Sequence, residues 1–391
     1  MTGGDRPEEA GDVTDKGLRE VVAADTQISD IDGDLGRLWY VGYDIVDLAQ
    51  HASYEEVVHL LHHLDLPTRD QLDELNEFLI DERDLSPFLA NLMHELAQQT
   101  SPMSMLRTGI SAASAYDPDG WDESADAQLR KALRLIAKGP SLITHYHRLR
   151  TGQDVIPSNP KLPHAANFLW MLLGDEPSAE DADTLDTTFV LYADHTMNAS
   201  TFTARIIAST LADMFSAITG AVAALKGPLH GGANEEAMKM LEEIGSPDRA
   251  EAYVRNRLEH HEKIMGFGHA VYRTMDPRAR ILKQMADAVF EVKGRTPLIE
   301  VALELERIAL EDDYFVKRKL YPNVDFYSGL IYQAMAFPMD MFPVLFAIPR
   351  VSGWLSQWQE MLEDPDQKIA RPRQIFTGYA KRDFVPLSAR G

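Results

Sequence analysis

The chain has 391 residues, 45% of them hydrophobic and 25% charged, with 61 acidic side chains, 38 basic ones and no cysteine. This length suffices for one large domain or two ordinary ones, and the lack of cysteine excludes disulfides, thiolate metal sites and cysteine nucleophiles. The formal net charge of −23 makes nucleic acid and anionic membrane surfaces poor partners.

The beginning of the chain, residues 1–16, is polar and acidic and contains no apolar core. It therefore does not resemble a secretory signal, and its composition predicts a disordered lead-in. The apolar run 214–225 is too short to cross a bilayer and is typical of a buried helix. We expect a cytoplasmic protein, whose acidity reflects either a salt-rich cytoplasm or an ordinary acidic composition.

Helix signals dominate the rest of the chain. Capping boxes at 53–56 and 68–71 precede apolar residues at helical spacing, and Ser-Pro pairs at 86–87 and 101–102 predict two further helix starts. Further helices are predicted over 164–173, 185–225, 248–262, 279–292, 297–311, 325–336 and 340–362. Strand candidates are few, and the best of them is a hairpin over 36–45. Since no repeat recurs either, we predict a nearly all-α protein.

Two loops rich in glycine or proline divide this helical pattern. They are "KGPLHGG" at 226–232 and "AFPMDMFPVLF" at 336–346. Paired joints of this kind suit domain closure around a ligand, although such loops are also common without any hinge. The predicted division is a large domain of residues 17–230 and 337–391 with an inserted small domain of residues 231–336.

His230 lies in the first of these loops, after a proline and before two glycines, and a helix is predicted to begin near Ala233. The positive end of that helix would favour the neutral imidazole over the imidazolium. A neutral ring can donate a hydrogen bond to a developing oxyanion. The alternative interpretation is a capping histidine in a structural turn.

Three further titratable residues lie in similar surroundings. His269 follows two glycines, and His195 lies beside Asp194, where it is either a site residue or a core ring bonded to the backbone. Asp325 lies among a valine and two aromatic residues, where desolvation would raise its pKa toward that of a general base. The alternative for Asp325 is that it caps the next helix.

Basic residues are clustered in this acidic chain. They are concentrated in 263–280, 317–319 and 368–390, while Arg350 stands alone among apolar residues. Arginine forks bind carboxylates through paired hydrogen bonds. The clusters therefore predict a polyanionic small molecule as ligand: a di- or tricarboxylate, a phosphorylated carrier, or both.

Three segments suggest a metal site at first, but each lacks a required ligand or geometry. The segment "DIDGD" at 30–34 resembles the start of a calcium loop, but Leu35 and Val41 occupy the positions that require glycine and glutamate. The adjacent histidine pairs at 62–63 and 260–261 would point about 100° apart on a helix, so neither pair can face one ion. We predict no metal site.

Six segments in order resemble the citrate synthase family. They are residues 31–49, 193–201, 227–235, 266–279, 320–329 and 370–378. The resemblance implies a mostly helical homodimer, each subunit having a large and a small domain. It also implies condensation of acetyl-CoA with oxaloacetate followed by thioester hydrolysis, with a coenzyme A thioester as substrate and no metal.

The resemblance implies a role for each motif residue. Asp325 would take a proton from the acetyl methyl group, His230 would donate to the thioester oxygen, and His269 would donate to the oxaloacetate carbonyl. The remaining assignments are Arg278, Arg350 and His195 to the oxaloacetate carboxylates, Arg371 to the same ligand across the dimer, and Arg273, Lys263, Lys317 and Lys319 to coenzyme A.

The acyl group is left open by these residues. A relative that uses propionyl-CoA, a 2-methylcitrate synthase, would use the same catalytic groups, and one extra methylene changes binding by only about 1–3 kcal/mol. A non-catalytic sensor of acyl-CoA or dicarboxylate on the same fold is a more remote alternative. It is disfavoured because Asp325, His230 and His269 are all present.

Overall fold

The computed structural model describes residues 17–18, 21–269, 271–379 and 382–390. The lead-in predicted for residues 1–16 lies outside this range. A main body spans Thr26–Lys368, and the described residues before and after it form a second unit. The division into a large and a small domain stays a prediction.

The described residues contain seventeen α-helices and one small sheet, which confirms the all-α prediction. The helices of the first half are α1 Ile45–His51, α2 Tyr54–His63, α3 Arg69–Asp81, α4 Pro87–Leu96, α5 Pro102–Ala113, α6 Ala125–Arg150, α7 His164–Leu173 and α8 Ala179–Tyr192. Those of the second half are α9 Ala199–Ala208, α10 Met214–Leu225, α11 Ala233–Ile244, α12 Pro247–Glu259, α13 Pro277–Lys293, α14 Pro297–Glu311, α15 Asp313–Arg318, α16 Val324–Ala334 and α17 Phe342–Glu363.

The sheet has three short antiparallel strands in chain order, β1 Ser29–Asp32, β2 Arg37–Tyr40 and β3 Tyr43–Asp44. The hairpin predicted over 36–45 contains β2 and β3, and the structure adds β1. In the turn between β1 and β2, the Asp32 carboxylate accepts the backbone N–H groups of Asp34 at 3.0 Å and Leu35 at 2.8 Å. This aspartate turn ends at a glycine with φ of 65°.

Local capping determines several helix starts as predicted. In α2 the Ser53 hydroxyl accepts the Glu56 N–H and the Glu56 carboxylate accepts the Ser53 N–H, and residues 68 and 71 repeat this box in α3. The Ser86 hydroxyl accepts a backbone N–H of α4. Ser101 makes no such bond at the start of α5, where the proline of the first turn suffices.

One helix prediction was wrong, and one long helix was not predicted. The run predicted over 185–225 is divided into parts of α8, α9 and α10, because Thr196 and Leu211 have left-handed φ values and Asn198 and Asp213 cap new helices. The 26-residue helix α6 was not predicted at all. Its sequence contains Pro140, a residue that ordinarily ends a helix, yet the surrounding packing keeps the helix continuous.

Helix α17 is central to the main body. It packs against α2, α6, α8, α9 and α10, and all of its residues from Phe342 to Trp358 are buried. A helix that is buried on every side belongs in a core, where a charged residue needs a partner. Helix α16 packs against α11 and α13. None of the helices in the described part combines the length and apolar character that a bilayer crossing requires.

Candidate active site

His269 lies in the loop between α12 and α13. Its Nδ1 accepts the backbone N–H groups of Val271 at 3.0 Å and Tyr272 at 3.2 Å. An imidazole that accepts at Nδ1 carries its proton on Nε2. Burial lowers the pKa of His269 to about 4, and the positive charge of Arg278 acts in the same direction. At neutral pH the ring is therefore a neutral donor through Nε2.

His230 lies in the turn between α10 and α11, where its backbone N–H donates to the Gly227 carbonyl at 2.9 Å. Gly231 follows because a Cβ there would lie 2.8 Å from the Leu225 carbonyl oxygen. Burial, together with the positive charge of Arg350, lowers the pKa of His230 to about 4. The lowered pKa favours the neutral ring expected from the sequence, but the largest cause is burial rather than the end of the helix.

Ser200, at the start of α9, contacts the His230 ring. Its backbone N–H donates to Nε2 at 3.3 Å, and its Oγ lies 2.8 Å from the same nitrogen. The Nε1–H of Trp354 donates to this Oγ at 3.1 Å. The Ser200 N–H and Oγ also donate to the Asn198 side-chain oxygen, at 3.1 Å and 2.7 Å. The backbone N–H at Nε2 favours the tautomer of the neutral ring that carries its proton on Nδ1. Nothing in the sequence indicated this contact, since 30 residues separate the two partners.

Arg278 is held by Asp276 at the start of α13. The Asp276 carboxylate accepts the backbone N–H of Arg278 at 2.9 Å, its Nε at 3.1 Å and its Nη2 at 2.7 Å. Both side chains are 2% exposed, so the charges compensate each other in the interior. The role of Asp276 was missed from the sequence, although an aspartate before a proline is the usual signature of a helix cap.

Arg350 is buried in the middle of α17. Its Nε donates to the Tyr192 carbonyl and its guanidinium lies 4.7 Å from the centre of the Phe346 ring. Its Nη2 is buried without a hydrogen-bond partner among the described residues. Burial lowers the pKa of Arg350 to about 10, although the nearby Asp194 opposes this effect. A buried, unsatisfied guanidinium nitrogen favours an anionic ligand.

Asp325 lies in the first turn of α16. The helix is capped by Asn323, whose side-chain oxygen accepts the N–H groups of Asp325 at 3.1 Å and Phe326 at 3.4 Å. The alternative that Asp325 is the cap was therefore wrong. Burial raises the pKa of Asp325 to about 7, although the charges of Arg278 and Arg350 lower it. A carboxylate with this pKa is suited to general-base chemistry near neutral pH.

His195 follows α8 and is buried. Its Nε2 lies 3.4 Å from the Tyr272 hydroxyl oxygen, and its ring centre lies 5.3 Å from that of His269. Its ring contact is thus a side chain rather than the backbone group considered from the sequence. Burial holds the pKa of His195 well below the usual value, assisted by Arg278 and by His269.

These residues form one electrostatic cluster. The charges of Arg278 and Arg350 act on both Asp325 and His195. Ligand atoms of His195, His269 and Asp276 lie within 4.8 Å of one another, which is close enough for a metal site. However, the Asp276 carboxylate is engaged by Arg278, and two guanidinium groups would repel a cation. The donor set therefore suits an anion better than a metal.

The basic residues predicted to bind coenzyme A are all exposed. Arg273 lies 3.6 Å from the Asp34 carboxylate, and Lys317 pairs with a neighbouring aspartate at 2.6 Å. Lys319 ends α15 in a left-handed conformation, and Lys263 lies in the loop after α12. Arg371 is exposed in the second unit.

Residues 17–373 match the protein family described as "Citrate synthase, C-terminal domain". The chain belongs to the citrate synthase family. The glyoxysomal citrate synthase of Cucurbita maxima is 45% identical, the match covering 96% of this chain and 75% of that protein. The citrate synthase of Haloferax volcanii is 43% identical over 96% of this chain and 98% of its own.

Solved citrate synthase structures share this fold. The enzyme of Thermoplasma acidophilum, in a ternary complex with carboxymethyl coenzyme A and oxaloacetate, superimposes with a TM-score of 0.92 at 32% identity, covering 97% of this chain and 100% of that one. The citrate synthase of Pyrobaculum aerophilum gives a TM-score of 0.89 at 38% identity, covering 96% and 95%.

Proposed function

We propose that this member of the citrate synthase family condenses acetyl-CoA with oxaloacetate and hydrolyses the resulting citryl-CoA to citrate and coenzyme A. The observation that carries the proposal is the clustering of a carboxyl group with a raised pKa, neutral histidines and two buried guanidinium groups. The reported relatives are citrate synthases, which supports this function over the 2-methylcitrate synthase considered from the sequence.

Oxaloacetate binds through its carboxylates to Arg278, Arg350 and His195. The Nη2 of Arg350 has no hydrogen-bond partner among the residues that the structure describes. This supports the assignment, because a substrate carboxylate would supply that hydrogen bond. Arg278 already has Asp276 as its partner, so it contributes charge and its remaining N–H groups. The proposal thus puts the oxaloacetate dianion beside Arg350, whose charge has no ion-pair partner among the described residues, and beside the Arg278–Asp276 pair.

Asp325 removes a proton from the acetyl methyl group of acetyl-CoA while the Nδ1–H of His230 donates to the thioester oxygen. A positioned base contributes about 10²–10⁴-fold, and one oxyanion donor contributes about 10²–10³-fold. The methyl group of a thioester is a very weak acid, so neither the base nor the oxyanion donor is sufficient alone. The two acting together on one reactant stabilise the enol or enolate.

His269 acts on the other reactant. Its Nε2–H donates to the ketone oxygen of oxaloacetate, and this bond strengthens as the enol carbon attacks and an alkoxide develops. The two backbone donors at Nδ1 hold the ring in this tautomer. Water then hydrolyses the thioester of citryl-CoA, releasing citrate and coenzyme A.

Exposed basic residues bind the second substrate, a coenzyme A thioester. Arg273 and Lys263, with Lys317 and Lys319, bind the phosphates of coenzyme A, and their exposure keeps them accessible to a large ligand. The enzyme is a cytoplasmic homodimer in which Arg371 reaches the neighbouring subunit's oxaloacetate. Closure of the small domain on the large one excludes water during condensation.

The test mixes the protein with oxaloacetate and either acetyl-CoA or propionyl-CoA and follows the released thiol. The protein contains no cysteine, so it contributes no thiol background. We expect rapid release with acetyl-CoA that depends on oxaloacetate. Faster release with propionyl-CoA would support 2-methylcitrate synthase instead, and no release with either thioester would support the non-catalytic sensor.

The rate should depend on pH through Asp325. Because the base must be ionised and its pKa is raised to about 7, kcat/KM is expected to fall about tenfold per pH unit below this value. The pKa values of His230 and His269 are lowered to about 4, so both rings stay neutral across this range. A pH profile of kcat/KM from 5.5 to 8.5 checks this, and a flat profile would contradict it.

Ser200→Ala should weaken catalysis without abolishing it. His230 loses the Oγ contact but keeps the backbone N–H of residue 200, so we expect kcat to fall about 3–10-fold, the size of one neutral hydrogen bond. Steady-state kinetics at saturating substrates measure this. The control is Ser356→Ala, which removes a buried hydroxyl that donates to the Gly353 carbonyl, and it should leave kcat unchanged.

A further inference from the structure

The turn that joins β1 to β2 contacts the chain that follows His269. We call residues 32–36 the hairpin tip and residues 271–275 the catalytic segment. The carbonyl of Gly33 accepts the N–H of Arg273 at 2.9 Å. A Cβ at Gly36 would lie 2.9 Å from the Met275 carbonyl oxygen. The two backbones therefore touch at both ends of the tip.

Gly33 is required for space rather than for backbone conformation. A Cβ there would lie 2.5 Å from the Val271 carbonyl oxygen, a distance that real Cβ atoms do not adopt. Its φ is not in the left-handed region, so alanine would be unstrained apart from this contact. Gly42, in the next turn of the same sheet, is the opposite case, with φ of 86° and nothing within 4 Å of a Cβ.

The Val271 carbonyl that Gly33 contacts belongs to the same short segment whose N–H groups hold the His269 ring. The Val271 N–H donates to Nδ1 of His269, as does the N–H of Tyr272. The Tyr272 hydroxyl in turn lies 3.4 Å from Nε2 of His195. The start of the catalytic segment thus lies between the hairpin tip on one side and the His269 ring on the other.

The same hairpin also holds the loop that carries His195. The Ser29 hydroxyl contacts the Asp194 carboxylate and accepts the Thr196 N–H at 3.1 Å. The Tyr40 hydroxyl donates to the Asp194 carbonyl at 2.8 Å and accepts the Asp194 N–H at 3.2 Å. Ser29 and Tyr40 face each other in the β1–β2 register. Both histidine-bearing segments are therefore anchored to one small sheet.

We propose that this hairpin is a positioning element of the reaction: Gly33 sets the place of the Val271 peptide and so the orientation of His269, while Ser29 and Tyr40 set the place of His195. The proposal rests on the proposed function, because it assigns these histidines to the same ligand. Gly33 belongs to the segment "DIDGD", which does not form a calcium loop. Its role in catalysis is to leave space for the Val271 carbonyl oxygen. No hairpin residue needs to touch the substrate.

The main test compares Gly33→Ala with Gly42→Ala. In Gly33→Ala the added methyl displaces Val271, and we expect kcat to fall about 10–100-fold, because small misplacements of reacting groups have effects of this size. The KM for acetyl-CoA and the Tm should change little. Gly42→Ala strains the backbone of the same sheet, so it should lower the Tm and leave kcat unchanged.

A spectroscopic readout tests the inference independently of turnover. In ¹⁵N-histidine-labelled protein, the His269 signals should report an unprotonated Nδ1 in the parent. The same signals should shift in Gly33→Ala and not in Gly42→Ala. If the parent releases no thiol, the proposed function fails, while this comparison still decides whether the hairpin positions His269.

Ser29→Ala is a second variant, and it adds no volume to the core. If Gly33→Ala does not fold, Ser29→Ala still tests whether the hairpin positions His195. It removes the contacts to Asp194 and Thr196, but the Thr196 N–H keeps the Asp194 carboxylate as an acceptor. We therefore expect the KM for oxaloacetate to rise about 3–10-fold, the size of about one neutral hydrogen bond. Unchanged kcat and His269 signals in a folded Gly33→Ala would overturn the proposal. Equal losses of kcat in both glycine variants, or an unchanged KM in Ser29→Ala, would overturn it as well.

Discussion

Asp325→Asn is expected to lower kcat by about 10³-fold, in the middle of the range for a positioned general base. Asparagine has nearly the same shape but cannot accept the methyl proton. Oxaloacetate binding should stay close to that of the parent, because the guanidinium groups remain in place. Single-turnover and steady-state thiol release measure the first effect, and calorimetric titration with oxaloacetate measures the second.

The same variant should be more stable than the parent at alkaline pH. The folded-state pKa of Asp325 is raised to about 7, so the folded protein binds this proton more tightly than the unfolded chain does. Stability is therefore lost as the pH rises from about 4 to about 7, because the unfolded chain releases this proton while the folded protein still holds it. Since asparagine does not ionise, the Tm of Asp325→Asn should exceed that of the parent at pH 8.5, and the difference should shrink toward pH 5.

A matched control is Asp213→Asn, at the cap of α10, where asparagine caps a helix as well as aspartate does. It should leave both kcat and the Tm unchanged. If Asp325→Asn retains turnover within tenfold of the parent, the base is another residue. If its Tm is the same as the parent's at pH 8.5, the carboxyl is not ionised at a cost in the folded protein.

Arg350→Gln is expected to weaken oxaloacetate binding by about 10²–10³-fold, because it removes one partner of a buried charge pair. Arg350→Lys retains the charge but has no planar fork and no Nη2, so we expect a smaller loss of about tenfold. Calorimetric titration with oxaloacetate in the absence of thioester measures both. The graded order, with Gln weaker than Lys and Lys weaker than the parent, distinguishes a ligand contact from a purely structural role.

The control for Arg350 is Arg83→Lys. Arg83 is also buried, and its Nε likewise has no partner among the described residues, but its Nη1 donates to the carbonyls of Asn159 and Leu162. Its replacement should lower the Tm without changing oxaloacetate affinity. Equal affinity of the parent and Arg350→Gln would contradict the binding role of Arg350, provided that circular dichroism shows both to be folded.

The fold class was predictable because the signals that start helices are local. The capping boxes at 53–56 and 68–71 satisfy backbone donors with side chains three residues away, so they can be recognised in a short segment. The continuity of α6 through Pro140 was not predictable in this way. Packing of distant helices around that segment outweighs the local preference, and no short segment contains this information.

The candidate site shows the same division. The sequence alone determined which groups are present: a carboxylate in apolar surroundings, histidines beside glycines, and arginines in an acidic chain. Only the tertiary structure decided their partners, namely Ser200 for His230, Asp276 for Arg278 and the hairpin tip for the segment after His269. The physical reason is that residue chemistry and short-range spacing are written along the chain, whereas desolvation and hydrogen bonding depend on segments that become neighbours only when helices pack.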